Sequence, residues 1–127
     1  MAEYLARDRL ADDTVTFASA GTAAMPGRPA SDATIRVMRE IGIDVSAHRS
    51  RGVWELADTA DLVYALTTAH HTELESRWPT SRIEVLDPDG RSIADPYGLS
   101  MSSYRRARIE IEDAISRRLE EWTGLAF

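Results

Sequence analysis

Leu62-Val63-Tyr64-Ala65-Leu66 is the stretch that most restricts how this chain can fold. It is an unbroken apolar run behind Asp61, too short for a helix and apolar on both faces that a strand presents. A strand buried on both faces implies a parallel sheet covered by helices. The neighbouring sequence agrees. Ala69 to Trp78 reads as a helix, Ile83 to Leu86 as a short strand, and Asp87-Pro88-Asp89-Gly90 as a turn. From Met101 to Trp122 runs the strongest helical pattern. Ile111, Ile115, Leu119 and Trp122 recur at steps of four, four and three, with Tyr104 in phase.

Upstream, Ala2 to Leu10 reads as a short helix with a partial apolar face of Tyr4, Leu5 and Leu10. Thr14 to Ala18 alternates, with Val15 and Phe17 on one side, and reads as a strand. Ala20 to Pro29 is a loop, and Ser31 is a good N-cap for the helix behind it. That helix carries Thr34, Val37, Met38 and Ile41 on one stripe, which stops at Gly42. Ile43 to Arg51 is a connector, and Val53 to Leu56 a short helical turn.

Strands alternating with helices predict an α/β fold, a parallel-sheet three-layer αβα sandwich, as one domain over residues 1–127. One expectation is unusual. The pattern opens on a helix, whereas a doubly wound sheet ordinarily opens on a strand. The sequence therefore reads as a sheet missing its first strand.

Composition narrows function. There is no Cys, which excludes disulfides, thiolate zinc sites and thiol chemistry within these residues. The net charge of −6 argues against nucleic acid or an anionic membrane as partner. No apolar run is long enough to span a bilayer, and no leader pattern is visible, so a cytoplasmic location is expected. His70 and His71 are helix neighbours pointing in different directions; a solvated face is expected of them, and no metal or cofactor.

Asp95-Pro96-Tyr97-Gly98 is the best candidate for chemistry. Pro96 restricts Asp95 to extended geometry, and a carboxyl on such a loop can protonate a leaving atom. Tyr97 can form an apolar wall beside it. Further features stand in a fixed order: Ser19-Ala20-Gly21-Thr22; Gly27 and Pro29; Ile41-Gly42-Ile43-Asp44; Ser46, His48 and Arg51; Asp61-Leu62-Val63; and Tyr104. Each is weak alone. Together they resemble the low-molecular-weight protein-tyrosine-phosphatase family, from Met1 to about Trp122.

The resemblance implies a protein phosphatase working on phosphoprotein substrates without a cofactor. It makes Asp95 the general acid, and Ser19 and His48 residues that orient a phosphate-binding loop. Met25 and Tyr97 become walls of the pocket, and Arg51 a recurrent position of less defined role. It also implies a loop that this sequence does not contain, with a nucleophilic Cys and a phosphate-binding Arg. No residue stands in for them, and no base for Ser19 is evident in the sequence. Covalent phosphatase turnover is therefore not expected of these 127 residues alone.

Two readings follow. In one, the loop lies upstream of the assigned start of an active enzyme. In the other, the chain is a pseudophosphatase, a binding or regulatory module. The related arsenate-reductase use of this fold needs the same Cys. The single aromatic after Asp95-Pro96 leans toward the bacterial branch acting on phosphoarginine. Loss of the first strand would leave the strands at Thr14–Ala18 and Leu62–Leu66 with unpaired inner edges, answered by direct pairing, a homodimer or a partner strand.

Overall fold

A computed structural model describes residues 1–56 and 59–127. Its elements are α1 (Ala2–Arg9), α2 (Asp32–Arg39), a 3-10 turn (Val53–Glu55), β1 (Val63–Ala65), α3 (Thr68–Arg77), β2 (Ile83–Val85) and α4 (Met101–Thr123). The helix starts follow local chemistry. Ser31 Oγ accepts the Thr34 N–H at 3.2 Å, Thr67 Oγ1 the His70 N–H at 3.0 Å, and Ser100 Oγ the Ser103 N–H at 3.3 Å. α4 stops at Gly124, whose φ of +71° suits glycine.

β1 and β2 pair in parallel, with Val63 opposite Ile83 and Ala65 opposite Val85. The pleat sends alternate residues to opposite faces. Val63 and Ala65 join Val53, Leu74, Trp78 and Ile83 under α3. Tyr64 and Leu66 face the larger core of Leu5, Val37, Met38, Val45, Ile111, Ile115 and Leu119, supplied mainly by α1, α2 and α4. Helices on both sides of a parallel sheet give the expected three layers. Burial of each large side chain here stabilises the fold by about 1.5–3 kcal/mol.

Two arginines bind the layers through polar groups. Arg118 donates to the carbonyls of Val85 (2.6 Å) and Leu86 (3.0 Å), and its guanidinium lies 4.9 Å from the Tyr64 ring centre. Arg108 donates to the Val37 carbonyl at 2.7 Å and meets Glu40, joining α2 to α4.

The strand expected at Thr14–Ala18 does not form; no ladder includes it. Its side chains still alternate, with Val15, Phe17 and Ser19 half-buried and Thr16, Ala18 and Ala20 exposed. The patterning is that of a strand, but the backbone has no partner. Trp122 explains the spacing. Its indole stacks on Phe17 (6.5 Å between ring centres, 10° between planes) and on Tyr64 (5.8 Å, 18°). Its Nε1–H also donates to the Tyr64 hydroxyl at 3.1 Å. One indole thus stands between the Phe17 and Tyr64 side chains, on the two segments whose inner edges the sequence leaves unpaired.

His71 corrects the reading of a solvated pair. His70 is exposed, but a His71 ring nitrogen lies 3.0 Å from the Ile83 carbonyl, which binds α3 to β2. Among the described residues no helix is long and apolar enough to cross a membrane, and no group of three or more His, Asp and Glu could hold a metal ion.

Candidate active site

The loop that follows β2 carries Asp95. It is anchored where it leaves the sheet: the Leu86 N–H donates to the Ala65 carbonyl and the Ile93 N–H to the Leu66 carbonyl, each at 2.8 Å. Ile93 and Pro96 are buried, so the loop has fixed points on either side of the carboxyl. Asp95 itself is exposed. Its Oδ1 accepts the Tyr97 N–H at 3.0 Å, a turn that Asp favours and that Gly98 completes at a φ of +79°. Among the described residues no cation pairs with the Asp95 carboxylate, and its other oxygen carries no hydrogen bond. A cleft of about 250 Å³ opens beside it, lined by Ser92, Pro96, Leu99, Ser103 and Arg106. Tyr97 stands out from the loop at 77% exposure and takes no part in the core.

A second group forms where the loop after Ser19 meets the connector before the 3-10 turn. Gly21 bridges Gly52 in parallel: the Gly21 N–H donates to the Arg51 carbonyl at 2.9 Å, and the Val53 N–H to the Gly21 carbonyl at 3.1 Å. The Trp54 ring packs over Gly52, where a Cβ would lie 2.1 Å from it and force the ring to shift. Further along, Pro29 bridges Arg49, and the Ser50 hydroxyl donates to the Met25 carbonyl. These bonds set the position of Met25, exposed at the edge of the loop.

Ser19 and His48 both turn toward α1. Ser19 Oγ donates to Glu3 Oε1 at 2.8 Å, and Arg7 Nη2 meets Glu3 Oε2 at 2.9 Å. Arg7 also donates to the Phe17 carbonyl at 3.0 Å. His48 meets the Tyr4 ring edge-on at 5.5 Å. Burial lowers the His48 pKa, and the Glu3 carboxylate pulls the other way; the Met1 amino group, Arg51 and Arg7 add to the lowering. His48 is therefore held toward the neutral imidazole.

Glu3 was missed in the sequence. It is a buried carboxylate, 5% exposed, and the common neighbour of Ser19, Arg7 and His48. The only signal was an acid four residues before an Arg on a short helix. Glu3 is the acceptor of the Ser19 hydroxyl, a partner that the sequence does not reveal. The Ser19 proton is directed at a carboxylate that is also paired with Arg7 at 2.9 Å. The bond orients Ser19 instead of activating it.

The structure thus brings Ser19, His48 and Arg51 together around α1 and Gly21, and holds Asp95 and Tyr97 on a separate loop. Among the described residues no hydrogen bond or ion pair links the two groups. The arrangement presents an exposed carboxyl beside a cleft and exposed Met25 and Tyr97 side chains, and it contains no thiol.

Comparison with known proteins agrees with this geometry. Residues 1–123 match the family described as low molecular weight phosphotyrosine protein phosphatase. The probable low molecular weight protein-tyrosine-phosphatase EpsP of Ralstonia nicotianae is 32% identical over 126 residues, which cover 96% of this chain and 83% of that protein. Among solved structures, the YwlE arginine phosphatase from Geobacillus stearothermophilus superposes with a TM-score of 0.89 at 32% identity, over 97% of this chain and 83% of that one. Vibrio vulnificus Wzb in complex with benzylphosphonate gives 0.87 at 26% identity, over 94% and 87%. A three-layer parallel fold, the ordered motifs and a match along nearly the whole length leave one assignment: the chain belongs to the low molecular weight phosphotyrosine protein phosphatase family.

Proposed function

We propose that this chain is a single domain forming the body of a protein phosphatase, whose attacking thiolate and phosphate loop come from outside these 127 residues. An extended segment seated in the slot between Val15–Ser19 and β1 would carry that loop. Asp95 is the general acid. As a thiolate attacks phosphorus and the bond to the leaving atom breaks, the Asp95 carboxyl gives that atom its proton. The carboxylate then takes a proton from the water that hydrolyses the thiophosphate, and returns to its starting state. Met25 and Tyr97 flank the phosphorylated side chain; Ser19 and His48 steady the loop from below.

The observation that carries this reading is the Asp95 carboxylate, fixed by its own turn, unpaired among the described residues, and open to a cleft. The reading needs neither metal nor cofactor and places the work in the cytoplasm. Phosphoarginine is the substrate it favours. Tyr97 is followed by Gly98, so one aromatic side wall is present instead of two. A curated relative named protein-arginine-phosphatase, from Geobacillus stearothermophilus, is 34% identical over 114 residues. The absence of any Cys favours a second reading for the chain by itself, a pseudophosphatase that binds a partner without turnover.

Turnover of p-nitrophenyl phosphate separates the two. The 127-residue chain alone should show none. A version extended at its N-terminus by an apolar strand and a Cys-x5-Arg-Ser-Pro loop should be active, and Asp95→Ala in it should lower kcat by about 10²–10⁴-fold. A folded but inactive extended version would overturn the phosphatase reading and leave the binding module. The ratio of phosphoarginine to phosphotyrosine hydrolysis then tests the substrate.

A further inference from the structure

The loops over residues 20–30 and 45–54 carry Arg28, Arg49, Arg51 and His48 and no Asp or Glu, in a chain whose acidic side chains outnumber its Arg 21 to 15. The fold makes these loops one surface. The Gly27 N–H donates to the Ser50 carbonyl at 2.9 Å, the Ser50 N–H to the Arg28 carbonyl at 2.7 Å, and Pro29 bridges Arg49. Arg28, Arg49 and Arg51 are all exposed, and among the described residues no carboxylate lies within ion-pair distance of any of them. Elsewhere the pattern is mixed: Arg36, Arg39, Arg91 and Arg106 stand scattered and likewise meet no carboxylate among the described residues, whereas the other eight are paired. Arg7, Arg9, Arg77, Arg82, Arg105, Arg108, Arg117 and Arg118 each meet a carboxylate at 4.0 Å or less. Among the described residues eight of the fifteen Arg meet a carboxylate, and the three of this cluster stand together on one surface without one.

The cluster is continuous with the pocket wall. An Arg28 guanidinium nitrogen lies 3.9 Å from Met25 Sδ, and Arg51 helps set the charge on His48. Trp54, 54% exposed, closes the surface on the side of Gly52. Arg49 uses one nitrogen on the Ser46 and His48 carbonyls, which fixes its guanidinium and leaves its remaining donors outward.

We propose that this face binds an acidic polypeptide segment beside the phosphorylated residue, so that the preferred substrates are phosphoproteins with Asp or Glu flanking the modified side chain. The inference rests on the phosphatase reading for its placement, but its chemistry is independent of turnover. Exposed charge pairs are individually weak and screened by salt. The expected gain is therefore about tenfold in affinity at low ionic strength, most of it lost at 150 mM.

The test is fluorescence anisotropy with the 127-residue chain and two fluorescein-labelled nonapeptides, one with four Glu and one with four Gln around a central Tyr, each with and without its phosphate. The Glu peptides should bind about tenfold tighter at 20 mM salt whether or not Tyr is phosphorylated. Arg28→Glu with Arg49→Glu should erase the preference, while Arg36→Glu with Arg39→Glu, the same charge change on α2, should retain at least half of it. Circular dichroism checks that both variants are folded. Equal binding of Glu and Gln peptides would overturn the proposal, as would a preference that survives Arg28→Glu with Arg49→Glu. A Glu preference alongside a dead extended enzyme would sink the phosphatase reading alone; an active extended enzyme with no preference would sink this proposal alone.

Discussion

Val63–Ala65 and Val15–Ser19 are both short and each sends an aromatic side chain, Tyr64 or Phe17, into the same helical layer, yet only the first is a strand. β1 has β2 beside it. The Val63 N–H reaches the Arg82 carbonyl at 2.9 Å and the Leu86 N–H the Ala65 carbonyl at 2.8 Å, so its backbone is satisfied on that edge. Val15–Ser19 is held by side-chain chemistry: Arg7 on the Phe17 carbonyl, Glu3 on Ser19, and Trp122 under Phe17. The difference teaches that hydrophobic alternation chooses which face of a segment is buried, while a neighbouring backbone is what makes it a strand.

The largest effect should come from the support that both segments share. Leu119 on α4 is 1% exposed in the core that includes Phe17 and Tyr64. Leu119→Ala should cost about 2–5 kcal/mol in urea unfolding. If the shared core governs both regions, amide exchange should accelerate in residues 63–65 and 15–19 together. Acceleration in one region only would show that the two are independent and break the comparison.

Glu3→Ala acts on the unpaired side alone. It removes the acceptor of Ser19 and the partner of Arg7, a loss of about 1–3 kcal/mol. The cost should fall in the lower half of that range, because the Arg7 side chain is 46% exposed and can recover water. Exchange should rise at residues 17–19 and stay unchanged at 63–65. A loss above that range, or unprotected β1 amides, would mean that the Glu3 cluster supports the sheet as well.

Much of this was legible in the sequence. The apolar run at Leu62–Leu66 gave β1, the three-and-four spacing from Tyr104 to Leu119 gave α4, and Ser31 marked the start of α2. These are local signals, carried by residues whose partners are fixed by period. Trp122 belongs to the same stripe but is 43% exposed, because its role is to stand between Phe17 and Tyr64 instead of filling the core. Thr14–Ala18 has the alternation of a strand without forming one, because the lack of a backbone partner is not a local property. Asp95 is marked in the sequence by its Pro, whereas nothing marks Glu3, since a buried carboxylate looks like any helix-surface acid until Ser19 and Arg7 are brought to it.

Trp122→Ala gives a smaller, local test of the slot. Losing two stacked contacts costs about 0.5–1.5 kcal/mol each at most, and less for a half-exposed ring. Exchange should rise most at Val15–Ser19, which has no ladder to retain it. If removal of the indole instead lets Val15–Ser19 pair with β1, protection there would increase, and the slot would prove to be held open by Trp122 alone.

The smallest effect is electrostatic and lies on the unpaired side. Burial lowers the pKa of His48 below its ordinary value of 6.5, so on acidification the unfolded chain takes up the proton first. Stability from this group is level above about pH 6.5 and falls as the pH drops from there toward the folded value. In His48→Asn that slope is absent. Carboxylates titrate in both proteins, as does the Met1 amino group, whose pKa burial also lowers, so their contributions cancel in the difference between the two unfolding curves. The stability of the natural chain relative to His48→Asn should therefore decline just below pH 6.5. A difference that grows on acidification would show that the attraction of Glu3 outweighs burial. The carboxylate beneath Ser19 would then hold an imidazolium, and the side of the molecule without a ladder would carry a charge pair in its place.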